Sequence, residues 1–409
     1  MHWTKKLIAS VAVYGLGLVA AWPAVIMQLT GVPDYSWYAG WFGTASGNLM
    51  GYWDRHGLPD YYTGPTAGGV APLDSFGGNV GIRSLWASRA GLDGRPIFQA
   101  GHVDDYWTYY TNDFTFSYES TDPDPYALAH RPEHAPDCIG DFIGLSQNKW
   151  TNLNAECDGN IDASAFVFWD RTGARRENFV PPPQGAAPVP DIPSGLRDWT
   201  RYRGDDAVVF SQLTDFNPSK PPSAGFTFDD LKAEINAGYP VLLFLQSYTE
   251  NSRELTNQTP MPRANPLTQG LLAYGYAIDV NGTNWVYYRN SLGTSTPDTR
   301  KPWTSVPFEV GLPVRGVIGY HPLPKITRLS YSNQTLTVEW DGPSSILSNG
   351  VSGASTKVHR YVVQKSSTLA AGSFTDASAP TAEGQATIAN CCVGPTFFRV
   401  RMLPPASPP

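Results

Sequence analysis

The chain is predicted to be α+β, with a helix-and-sheet domain followed by a separate all-β module. Three observations lead there. A helix-to-strand unit near residue 230 is followed directly by two more strands. Beyond residue 324 the pattern turns into short alternating strands separated by turns. The composition is low in charge (16%) and rich in glycine, proline and aromatic residues, which suits a strand-rich, loop-rich protein of 409 residues. That length accommodates two or three domains with a large core.

The first element is a leader. Lys5 and Lys6 precede the uncharged run LIASVAVYGLGLVAAW, and Val19 and Ala21 place small residues where a signal peptidase cuts. Residues 1–21 therefore read as a signal peptide. The run falls short of the ~20 apolar residues that a bilayer core needs, so an uncleaved anchor is the weaker reading. No second hydrophobic span follows, and the mature chain is expected to be secreted, periplasmic or at the cell surface, without a stable membrane span. A net charge of −7 supplies no basic surface for phosphates, which excludes nucleic acid as a partner.

Next comes GWFGTASGNLMGYWDRHG, where small residues precede the apolar stripe Leu49, Met50, Tyr52 and Trp53, the layout of a buried helix. Tyr52 and Trp53 read as core. Thr44 and Ser46 at its start read as capping hydroxyls, since no base for a hydroxyl nucleophile is evident. The surrounding aromatics, with Trp37, Tyr38, Trp41, Phe42 and Thr44 as candidates, could line a binding cleft or fill the core.

Two clusters follow, GHVDDYW and EHAPDC. His102, Asp104, Asp105, Glu133, His134 and Asp141 offer metal-ligating side chains but match no dedicated spacing, so a zinc or calcium site stands beside a polar network as alternatives. No cofactor is required by any motif. Cys138 and Cys157 are the favoured disulfide in an exported chain, although Cys138 lies four residues after His134 and a local Cys/His pair is the alternative. Cys391 and Cys392 are adjacent; a bond between neighbours is geometrically demanding, and free thiols or a bridge elsewhere remain open.

The Pro-rich segment 179–195 reads as an extended connector. After it, Thr227 and Asp230 make a capping box, Phe228, Leu231 and Ile235 share a helical face, and Gly238 ends the helix. Val241–Leu245 is a continuous apolar run, a buried strand. GLLAYGYAI and NWVYYRNSLG are two strands joined by the turn VNGT. A boundary near Pro324 opens the second module, with strands at Leu336/Val338/Trp340, Tyr361/Val363 and Phe398/Val400/Met402, about the size of a β-sandwich. Residues 404–409 read as a disordered tail.

Several of these stretches also carry a resemblance. WYAGWFGTASGNLMGYWDRHGLPDYYTGP, GLDGRPIFQAGHVDDYW, EHAPDCIGDFIGLSQ, LKAEINAGYPVLLFL, LTQGLLAYGYAI and YYRNSLGT together resemble the secreted bacterial C39-like peptidases, over most of residues 33–320. The resemblance implies a papain-like cysteine-peptidase fold for residues 30–322. LTVEWDGP, VHRYVVQKS and CCVGPTFFRVRM resemble a fibronectin type III-like module, implying an immunoglobulin-like sandwich for 323–403.

In that family a Cys opens the first helix, where the helix dipole favours a thiolate. A His beginning a strand pairs with it, and an Asn or Asp on the next strand orients the His. Carried onto this sequence, the nucleophile position falls on Trp41, with Phe42-Gly43 before the retained Thr44-Ala45. The histidine position falls on Gln269, and Asn290 keeps the third. The run Asp34–Gly40 lacks the oxyanion-stabilising Gln. No cysteine precedes Cys138 and no histidine lies between His134 and His321, so a slipped alignment restores neither member. The expectation is a pseudoenzyme that binds peptide, protein or glycan at the altered cleft. Two alternatives stand beside it: a hydrolase using Cys138/His134 or a metal on His102/His134, and a structural extracellular or envelope protein.

Overall fold

The computed structural model describes residues 23–35, 41–59, 61, 71, 73, 139–143, 167–181, 191–216, 224–246, 268–304, 308, 312–370, 372–392 and 394–405. Within them the protein is a mixed α+β chain in which sheet dominates.

The body is one ten-stranded sheet. Its centre is β4 (Val241–Gln246), whose residues from Val241 to Leu245 are all buried. Each such apolar side chain contributes about 1.5–3 kcal/mol by leaving water. β4 lies antiparallel between β5 (Thr268–Asp279) and β8 (Val314–Pro322). Beyond β8 come β3 (Ala207–Leu213) and β2 (Arg176–Glu177). β5 is long enough to pair with β4 along its first half and with β1 (Pro23–Leu29) along its second. β6 (Asn284–Arg289) and β7 (Arg300–Pro302) continue from its other edge.

Among the described residues are α1 (Trp41–Arg55), α3 (Ile192–Tyr202) and α4 (Phe228–Asn236), which pack on this sheet, and the short α2 (Ile139–Phe142), which packs on α1 and α3. α1 packs on β5 and β4 through a stripe that includes Phe42, Leu49, Tyr52 and Trp53, all fully buried. α4 starts where its capping box predicts, with Asp230 N–H donating to Thr227 Oγ1 at 3.1 Å and Thr227 N–H to Asp230 Oδ2 at 2.8 Å. Residues 192–195, which read as the end of the proline-rich connector, instead form the first turn of α3. Asp191 caps that turn, accepting from Ser194 N–H at 2.9 Å, and Pro193 sits where a helix can spare an amide.

Two further departures from the sequence reading concern the edges of the body. Pro23–Leu29, which lies before the expected start at residue 30, is an interior strand paired with β5 and β11. The far edge of the body comes from the C-terminal segment: β11 (Ile346–Asn349) pairs with β1, and β12 (Ser355–Lys357) pairs with β11.

The remaining C-terminal strands are β9 (Lys325–Ser332), β10 (Thr335–Asp341), β13 (Tyr361–Ser366), β14 (Thr375–Asp376), β15 (Gln385–Ala389) and β16 (Phe397–Met402). They form two three-stranded sheets, β15-β10-β9 and β14-β13-β16. The two share a small core of Leu336, Val338, Trp340, Tyr361, Val363, Ile388 and Cys391. Cys391 and Cys392, left open by the sequence, are bonded to each other in the turn after β15. Among the described residues no helix is long and apolar enough to cross a membrane.

Candidate functional site

Three positions singled out in the sequence come together around one glycine. Trp41 opens α1, Gln269 lies near the start of β5, and Asn290 directly follows β6. Gly270, beside Gln269, is the contact point. A β-carbon on it would stand 2.6 Å from Phe42 Cδ1 and 2.9 Å from Phe42 Cα, so only glycine lets the first turn of α1 sit this close to the strand. Its carbonyl accepts a 2.8 Å hydrogen bond from Ser291 Oγ, which ties the loop after β6 to the same spot. Ser291 adopts φ 63°, a left-handed conformation held by that bond.

The Gln269 and Asn290 side chains are each engaged separately rather than with one another. Gln269 is 1% exposed. Among the described residues its Nε2 reaches the backbone carbonyl of Asn290, at 3.5 Å, and its Oε1 has no hydrogen-bond partner. The Asn290 amide is turned into its own loop: Oδ1 accepts from Leu292 N–H at 3.0 Å, and Nδ2 donates to Thr294 Oγ1 at 2.8 Å. An asparagine that orients a neighbouring ring must offer its amide across the strands, and here both ends are occupied locally.

The loop is anchored from the far side by Asp34, whose carboxylate accepts from Ser295 N–H at 2.8 Å and from Ser295 Oγ at 3.0 Å. Burial raises the Asp34 pKa above the usual range; the nearby Arg289 and the two Ser295 bonds partly offset it. Arg289 also donates to the Val32 carbonyl at 2.8 Å and lies over the Tyr274 ring. The segment after β1 and the Asn290 loop are thereby held as one unit.

The flanking candidates divide. Phe42 and Thr44 are fully buried, so neither is presented on a cleft wall; Phe42 packs at 4.7 Å on Phe244 beneath the site. Tyr52 and Trp53 are core residues, as read from the helical stripe. Thr44 and Ser46 lie inside α1 rather than at its cap, because the helix begins at Trp41; Ser46 Oγ is buried and has no partner among the described residues. Trp37, Tyr38, His102, Asp104, Asp105, Glu133, His134, Cys138 and Cys157 lie outside the described residues, and Asp141 falls in α2. Among the described residues no group of three or more His, Cys, Asp or Glu is arranged to hold a metal.

Sequence reasoning missed Gly270, Ser291, Asp34 and Ser295. The signal for Gly270 was available, a glycine inside an apolar strand. The 261-residue separation of Asp34 and Ser295 left none. No protein-family model matches the chain, and no curated protein matches it.

Proposed function

We propose that this chain is an exported pseudoenzyme. It has a papain-like, C39-peptidase-like frame joined to an immunoglobulin-like module, and it binds peptide, protein or glycan at the altered cleft rather than hydrolysing it. The observation that carries the reading is the convergence of the α1 start, Gln269 and Asn290 on Gly270. Thiol hydrolysis needs a thiolate and an imidazole at two of those positions. Tryptophan and glutamine stand there, and neither an indole nor an amide supplies a nucleophile or a proton shuttle at neutral pH.

Gln269 also indicates the kind of group to be bound. A buried amide oxygen without a partner costs about 1–3 kcal/mol. A ligand that donates an N–H, as a peptide backbone does, recovers that cost where binding moves aside the residues that bury this atom.

The test is to incubate the purified chain with a diverse peptide library, following binding by pull-down and cleavage by mass spectrometry. The reading expects saturable retention of intact peptides, weakened by Gln269→Leu. Cleaved products from the wild-type chain, or retention that Gln269→Leu leaves unchanged, would overturn it.

A further inference from the structure

Three of the chain's seven histidines, His56, His321 and His359, meet in one aromatic cluster. His359 lies 5.2 Å from the Tyr239 ring and 6.3 Å from Trp53. His321 stacks on Tyr239 at 4.1 Å, and His56 on Tyr52 at 4.4 Å. The cluster marks the joint where the C-terminal segment meets the sheet body. There Gly342 N–H donates to Gly57 O and Ser344 N–H to His56 O, both at 2.9 Å. Ser345 Oγ donates to Gly238 O at 2.7 Å. Gly238 itself has no room for a side chain: a β-carbon would stand 2.6 Å from both His359 Nε2 and Val358 Cγ2.

The hydrogen bonds set which ring nitrogen donates. His359 Nε2 is 3.2 Å from Ser345 Oγ. That hydroxyl gives its hydrogen to Gly238, so the imidazole donates through Nε2, and in the neutral ring Nδ1 is the nitrogen left without a proton. His56 Nε2 is 2.9 Å from Thr30 O, a carbonyl that can only accept, so this ring donates as well.

We propose that this joint is an acid-released latch: neutral imidazoles hold the C-terminal segment on the sheet body, and protonating His359 and His56 frees residues 342–345 and 358–359 while the sheet stays folded.

Burial opposes charge on both rings, while the backbone of Thr30 and Ser344 at His56, and of Gly238 at His359, offsets it only in part. From α1 and its end come Tyr52, Trp53, Arg55 and His56; from the turn after α4, Tyr239; from β8, His321; and from β13, Tyr361. Among the described residues no carboxylate pairs with His359. Glu234 of α4 is already engaged by His321 Nε2 at 2.5 Å and by Arg175 Nη2 at 3.2 Å. Arg55 adds positive charge beside His56. A second proton on His359 would therefore enter a buried site without an anion.

Burial, followed by the neighbouring His321 and His56, holds the His359 pKa down at about 3, and burial lowers that of His56. Once released, an imidazole titrates near its ordinary ~6.5. The closed joint is thus fully favoured above that value. Below it, the ratio of closed to open falls about tenfold per pH unit for His359 alone, continuing down towards pH 3.

The experiment is hydrogen exchange on the full chain, resolved to the amides of Gly342 and Ser344 and corrected for intrinsic rates. From pH 6.5 to 4.5, their protection is expected to drop by about fiftyfold, while β4 and β8 amides hold theirs. His359→Gln keeps an N–H donor that does not titrate and should remove most of this slope; His56→Gln should remove a smaller part. Should either variant fail to fold, the wild-type profile decides. Constant protection at Gly342 and Ser344 down to pH 4.5, loss in step with β4, or an undiminished slope in folded His359→Gln would overturn the latch.

Discussion

Replacing Gly270 with alanine probes the contact that assembles the candidate site. The added β-carbon meets Phe42 twice, at ring Cδ1 (2.6 Å) and at Cα (2.9 Å). A free ring could swing aside, but this one is fully buried against Phe244, and the Cα belongs to the first turn of α1. Relief therefore requires the helix to move off the strand. Overpacking of this kind costs about 1–3 kcal/mol, and the backbone contact places Gly270→Ala in the upper part, about 2–3 kcal/mol. Urea unfolding followed by tryptophan fluorescence measures it as a lower midpoint with an unchanged slope. Gly394→Ala is the control, since a β-carbon there meets nothing within 4 Å and should change stability by no more than about 0.5 kcal/mol. Equal midpoints for the two variants would refute the packing of α1 on β5, and with it the site.

Further expectations concern the frame. Thr227→Ala removes the cap of α4, whose hydroxyl accepts from Asp230 N–H, and should cost about 1 kcal/mol in the same assay. Ending the chain after residue 322 removes β11, strips β1 of its outer partner and deletes the buried Leu347 and Val358. That truncation should pellet as aggregate in sedimentation, because an unpaired apolar edge invites association; a monomeric, cooperatively folding product would contradict the shared sheet.

What the sequence made legible was local. The α4–β4 unit, the β5–β6 hairpin and the stripe of α1 are each written within about twenty neighbouring residues or fewer, in spacing and caps that depend on nothing distant. The alternation at Leu336, Val338 and Trp340 likewise shows which face of β10 is buried. Pairing between remote segments was not legible. Pro23–Leu29 followed directly on the leader pattern and carried no turn signal, yet it fills the place between β5 and β11. β11 itself reads as part of the terminal module because only its partner, more than 300 residues away, places it in the body. At the site, the carried-over motif named Trp41, Gln269 and Asn290. What brings those positions together lies in Gly270 and Ser291, and in the Asp34–Ser295 bond, whose meaning appears only once α1 and the two loops are folded. Asn290 shows the limit most clearly: its identity matches the family pattern, while its amide serves its own loop.

The claim that this arrangement is a catalytic frame without its reacting groups is tested most directly by putting them back. Trp41→Cys and the double variant Trp41→Cys/Gln269→His should be compared by the pH dependence of iodoacetamide alkylation at position 41, resolved by mass spectrometry. A thiol at a helix start facing an imidazole on β5 titrates well below the ordinary ~8.5. The frame predicts alkylation of the double variant with an inflection at least about one pH unit below that of the single variant. Coincident profiles near pH 8.5 would show that position 269 does not face the start of α1, and would contradict the account.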